Sequence, residues 1–81
     1  IMKQLVFKTK DNLQLFKTVK GNFVVATRQE LLSIVGAIMI DQHDHKTTIR
    51  TTATDLLKSL YSKPVYIESE KKHIKLINHV H

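Results

Sequence analysis

The chain has no cysteine, so neither disulfide bonds nor a thiolate zinc site can add to its stability, and a reducing compartment is permitted. It has two glycines, Gly21 and Gly36, fifteen residues apart, which excludes a glycine-rich phosphate loop. Neither a cysteine nucleophile nor a serine in a strained, glycine-flanked turn is present, so nucleophilic catalysis finds no support and no enzyme is expected. No apolar run approaches the ~18 residues that a membrane-spanning helix needs, and no signal peptide is visible. The protein is therefore expected in the cytoplasm, with Met2 as its natural start. No internal repeat, low-complexity stretch or linker divides it. Its 81 residues read as one small domain, 1–81, with a limited core, for which self-association as a homodimer is expected.

What is present is a basic balance and one long apolar stretch. Thirteen Lys and Arg against seven Asp and Glu give a net charge of +6, spread along the chain, which favours anionic partners. The apolar stretch, Arg28 to Ile40, reads as a helix. Thr27 supplies an N-cap and Glu30 stands three residues on, the spacing of a capping box. Apolar residues at 31, 32, 34, 35, 38, 39 and 40 are too many for a single stripe, so burial nearly all round is expected. Ser33, Gly36 and Ala37 form a small-residue face where another backbone is expected to come close, since a mid-helix glycine otherwise costs about 1 kcal/mol relative to alanine.

Residues 3–27 read as three strands joined at Asp11-Asn12 and Gly21-Asn22, dipeptides suited to two-residue hairpin loops. Loops of that length place Phe7 opposite Phe16, Val25 opposite Thr18 and Lys20 beside Phe23. All three phenylalanines then share a face with Leu5 and Val25, and that face packs on the helix. The other face carries Val6, Lys8, Lys10, Leu13, Leu15, Lys17, Val19, Val24 and Ala26, a mixture of apolar and cationic groups that points to a second contact.

After Ile40 the polar run DQHDHKTTIR reads as a connector, followed by an amphipathic helix from about Thr52 to Ser62 that buries Ala53, Leu56, Leu57, Leu60 and Tyr61. Thr52 and Asp55 repeat the cap spacing, and Pro64 ends the helix. The remainder reads as a hairpin turning at Ser69 to Lys72, with Val65 and Ile67 on the same face as Ile74 and Leu76, Tyr66 across from Lys75 and Glu68 across from His73. The expected fold class is α+β: an antiparallel three-stranded meander, two helices and a C-terminal β-hairpin, in the order βββααββ.

Three constellations bear on chemistry. Asp41-x-His43-Asp44-His45 gathers imidazoles and carboxylates, but adjacent loop residues seldom complete a metal site, and a polar connector explains them. His79-x-His81 has the spacing of a strand chelate at a terminus that is expected to fray. No metal and no cofactor is assigned on this basis. The basic, threonine-rich run Lys46 to Thr52 leads into a helix N-terminus, a place that suits phosphate, although Asp55 in the first turn opposes an anion there. A helix-turn-helix fits poorly: the linker is too long, and the second helix shows only Lys58 and Lys63, with no Asn, Gln or Arg to read bases.

The resulting expectation is a small regulatory nucleic-acid-binding protein that contacts phosphates through Lys8, Lys10, Lys17, Lys46, Arg50 and Lys58. The rival class is a protein-interaction module, an inhibitor or accessory subunit, docking through the mixed apolar and lysine face of the sheet.

Overall fold

A computed structural model of the chain describes residues 2–44 and 47–76, with 44 and 47–51 described by backbone alone. The fold is α+β. Strands β1 (Lys3–Lys8), β2 (Gln14–Thr18) and β3 (Phe23–Val25) precede helices α1 (Arg28–Asp44) and α2 (Thr47–Ser62), and β4 (Val65–Ile67) and β5 (Lys72–Ile74) follow. All five strands form a single sheet in the order β1-β2-β3-β4-β5. The C-terminal hairpin is therefore not a separate antiparallel unit as expected. It joins the meander through β3 and β4, which run parallel, with both helices forming the crossover between them.

The two N-terminal loops decide the register. The Thr9 amide donates to the Leu13 carbonyl at 2.9 Å and the Asn12 amide to the Thr9 carbonyl at 3.0 Å, closing a three-residue loop of Lys10, Asp11 and Asn12. The second loop repeats this with Thr18 and Asn22 as its closing pair and Val19, Lys20 and Gly21 between. In each, the last loop residue takes a left-handed angle, Asn12 at φ 71° and Gly21 at φ 91°. This is the three-residue hairpin in which a type I turn is followed by a left-handed residue, in place of the expected two-residue loop.

That change overturns the expected faces. Phe7 pairs with Leu15 instead of Phe16, and Phe23 with Lys17 instead of Lys20, offsets of one and three residues. An odd offset exchanges the sides of a strand. Phe7 and Phe23 consequently turn toward the helices, while Phe16 lies on the opposite side, and Leu15, expected outside, is fully buried. A bulge between Leu5 and Phe7 sends Leu5 to the outer side as well. In the C-terminal hairpin Tyr66 pairs with His73 instead of Lys75, an offset of two, and the even offset leaves Val65, Ile67 and Ile74 on the helix side as expected.

The core lies between this inner face and the helix pair. Leu15, Phe23, Val25, Val65 and Ile67 from the sheet meet Leu31, Ile34, Val35 and Ile38 of α1 and Ala53, Leu57 and Leu60 of α2. Thr27 caps α1 through its hydroxyl, which accepts from the Glu30 amide at 3.1 Å. The helix is not buried all round: Leu32 and Ile40 stay 60% exposed. Gly36 has no close neighbour either, since a Cβ placed there would meet nothing within 4 Å among the described residues.

The expected polar connector is largely helix, α1 continuing to Asp44 and α2 beginning at Thr47. Packing between the two helices outweighs the weak helix preference of the five threonines in α2. The Gln42 side-chain amide donates to the Thr54 hydroxyl at 2.8 Å, tying the end of one helix to the other. At the far end of α1, the Arg28 guanidinium grips Glu70 in the β4–β5 turn through Nε at 3.0 Å and Nη2 at 2.7 Å.

Candidate nucleic-acid interface

Both helices cover the same side of the sheet, and among the described residues no element covers the other side. Across it runs one continuous row of directly paired residues, one from each strand: Leu5, Phe16, Val24, Tyr66 and His73. Residues paired in register project to the same side, so these five side chains lie side by side on the outer face. Tyr66 and His73 meet edge to face with ring centroids 5.1 Å apart. The Lys3 ammonium sits 4.6 Å from the centre of the Phe16 ring and 3.0 Å from a Glu68 carboxylate oxygen. Val24, in the centre of the row, is almost wholly covered by its neighbours, whereas Leu5 remains 44% exposed.

Beside the row a shallow groove of about 740 Å³ is lined by Met2, Lys3, Thr18, Lys20, Tyr66 and His73, among others. Its lining is largely apolar and includes the cations Lys3 and Lys20 and the carboxylate Glu68. Met2 and Val19, at its edge, are the most exposed large apolar side chains of the described residues.

The cations expected to act together do not converge. Lys8 pairs with Gln14, next to the inward pair Phe7 and Leu15, and so belongs to the outer side. Lys17 pairs with buried Phe23 and belongs to the inner side, its ammonium 5.8 Å from the centre of that ring. Lys10 is exposed in the first loop, and Lys58 is exposed on α2. Lys46 lies outside the described residues, and Arg50 is placed in α2 by its backbone alone.

Sequence reasoning missed Lys3, Lys20, Phe16, Tyr66 and His73 as members of one surface. The signal was available only through the turns, because a left-handed Asn12 or Gly21 closing a longer loop is what brings Phe16 outward. His45, His79 and His81 lie outside the described residues. Among those described, no group of three His, Cys, Asp or Glu is placed to hold a metal ion. No helix among them is long and apolar enough to cross a membrane.

The ion pair of Arg28 and Glu70 lies away from this face. Its hydrogen bonds to Arg28 hold the Glu70 carboxyl below the usual carboxylate range, and the same contact raises the guanidinium further. Arg28 and Glu70 thereby fasten the start of α1 to the last turn of the sheet. Comparison with protein-family models, with curated proteins and with solved structures finds no match to the chain.

Proposed function

We propose that the chain binds single-stranded nucleic acid on the open face of its sheet. The observation that carries this reading is the row Leu5, Phe16, Val24, Tyr66 and His73, flanked by Lys3 and Lys20. Bases of an unpaired strand gain about 1–3 kcal/mol each by stacking on aromatic side chains, independently of sequence. Lysines at the rim neutralise the phosphates between them. A duplex hides its base faces, so the aromatic row favours a single strand, where composition alone points only to phosphate contact through lysines. The affinity is modest, because Glu68 already engages Lys3.

The test is binding of a labelled single-stranded oligonucleotide and of the matching duplex at two salt concentrations. The single strand should bind more tightly, with affinity falling as salt rises, and replacing Tyr66 and Phe16 by alanine should weaken it. Equal binding to both forms, or none to either at low salt, overturns the reading.

A second reading is favoured by Met2 and Val19, exposed at 80% and 84% beside the same groove. Such surface suits an apolar segment of a protein partner, as in a small inhibitor or accessory subunit. Docking of that kind responds little to salt, which separates the two readings in the same assay. The proposal includes a homodimer, for which Leu32 and Ile40 of α1 offer uncovered apolar surface; a solution mass twice the 9.4 kDa of the chain is its measure.

A further inference from the structure

We propose that Lys17 and Lys63 form a clamp for a phosphate group over Gly21, at the loop between β2 and β3. The inference rests on the single-strand reading and adds to it a defined contact for the backbone.

Two parts of the chain bring these lysines to one point. Lys17 is held by its register, opposite Phe23, with its ammonium beside that ring. Lys63 follows the last residue of α2 and stands two places before Val65, which pairs with Phe23 from the other side. Measured from the position a Cβ would occupy on Gly21, the Lys63 ammonium nitrogen is 3.4 Å away and the Lys17 Cε 3.8 Å. Gly21 adopts φ 91°, which excludes most other residues, and its missing side chain leaves the space between the two cations open.

Neither lysine has a carboxylate partner among the described residues, where the ion pairs are Lys3 with Glu68, and Arg28 and Lys72 with Glu70. The negative end of the α2 dipole favours one positive charge at Lys63. It does not account for a second held beside it. The Lys63 ammonium and the Lys17 side chain border the same small space over Gly21, and a phosphate placed there offers several oxygens to two cations that have no carboxylate partner among the described residues. The same loop borders the groove on its other side through Thr18, Val19, Lys20 and Asn22. A strand that leaves the groove over this loop brings one of its phosphates within reach of the clamp.

The experiment uses the full chain, a labelled single-stranded DNA oligonucleotide and inorganic pyrophosphate. The double substitution Lys17→Gln/Lys63→Gln should weaken oligonucleotide binding about tenfold and make the log–log salt slope shallower by about 0.7 for the phosphate released. The charge-matched Lys71→Gln/Lys72→Gln should change affinity less than threefold, about what loss of net charge alone does. Equal melting temperatures of the two variants verify that both fold. In the second arm, pyrophosphate should shift the ε-CH₂ resonances of Lys17 and Lys63 ahead of those of other lysines. Equal weakening by both double substitutions, or uniform lysine shifts with pyrophosphate, overturns the clamp. If the native chain fails to bind oligonucleotide, the single-strand reading falls, and the pyrophosphate arm alone decides whether a phosphate clamp exists for free phosphates.

Discussion

Lys17 stands directly opposite Phe23 across β2 and β3, its ammonium 5.8 Å from the centre of a ring that is 1% exposed. A cation at the open end of the sheet thus covers an aromatic side chain whose other surroundings are the helix-facing core. The pairing fixes which side of the sheet every residue of these two strands takes.

Phe23 and Phe16 should differ in what they contribute to stability. Phe23→Ala empties a site in the core and should cost about 3–5 kcal/mol. Phe16→Ala removes a ring from the open face and should cost about 1 kcal/mol. Urea unfolding followed by circular dichroism measures both, and equal losses would show that the two rings share one environment.

Gly36→Ala should stabilise the protein by about 1 kcal/mol, since the added methyl meets nothing within 4 Å among the described residues and the helix gains the difference in propensity. For a chain this size that corresponds to a rise in melting temperature of about 4–8 °C. A fall instead would mean that another chain packs against this side of α1. Repeating the melt over a hundredfold range of protein concentration distinguishes that case.

The Arg28–Glu70 link should give stability a defined dependence on pH. Because Glu70 is held below the ordinary carboxylate value of 4.5, its contribution is complete above that value and is lost as pH falls through the lower value of the folded state. The raised value of Arg28 gives stability that is lost only as pH rises at the alkaline end, beyond the usual range of measurement. Arg28→Gln should therefore be less stable than the native chain near neutral pH, and the gap should close on acidification below about pH 4. A gap that persists in acid would locate the effect of Arg28 elsewhere. Both groups are exposed, so the difference is small and needs full denaturant curves at each pH.

Much of the architecture is legible in the sequence. The Thr27 hydroxyl caps α1 where the capping signal falls, the buried side of α2 carries Ala53, Leu57 and Leu60, and Pro64 follows its end. The β4–β5 faces are legible too, because an offset of two residues preserves them. The N-terminal faces are not, because one extra residue in each loop gives odd offsets, and Asp11-Asn12 and Gly21-Asn22 serve either loop length. The parallel pairing of β3 with β4 leaves no local mark. Each is only three residues long, and what joins them is the path of two helices packed on the sheet.

The candidate surface was hidden for the same reason. With Phe16 assigned inward, the outer side reads as lysines over aliphatic residues, and the two halves of the aromatic row, Phe16 and the pair Tyr66 and His73, have no reason to meet. They fall into one row, with Val24 between them, only because β3 and β4 are neighbours. Of the lysines the sequence offers as contacts, Lys17 has Lys63 as its neighbour in space, not Lys8 or Lys10.

The adjacency of β3 and β4 also governs how the protein can be divided. A cut between the helices leaves an N-terminal piece, β1 to α1, whose β3 keeps β2 but is bare on its other edge, and a C-terminal piece, α2 to β5, whose β4 keeps β5 but is bare toward β3. Each fragment then presents the hydrogen-bonding edge that only the other completes, so the two halves are built as mutual templates, and neither can close its own interior alone.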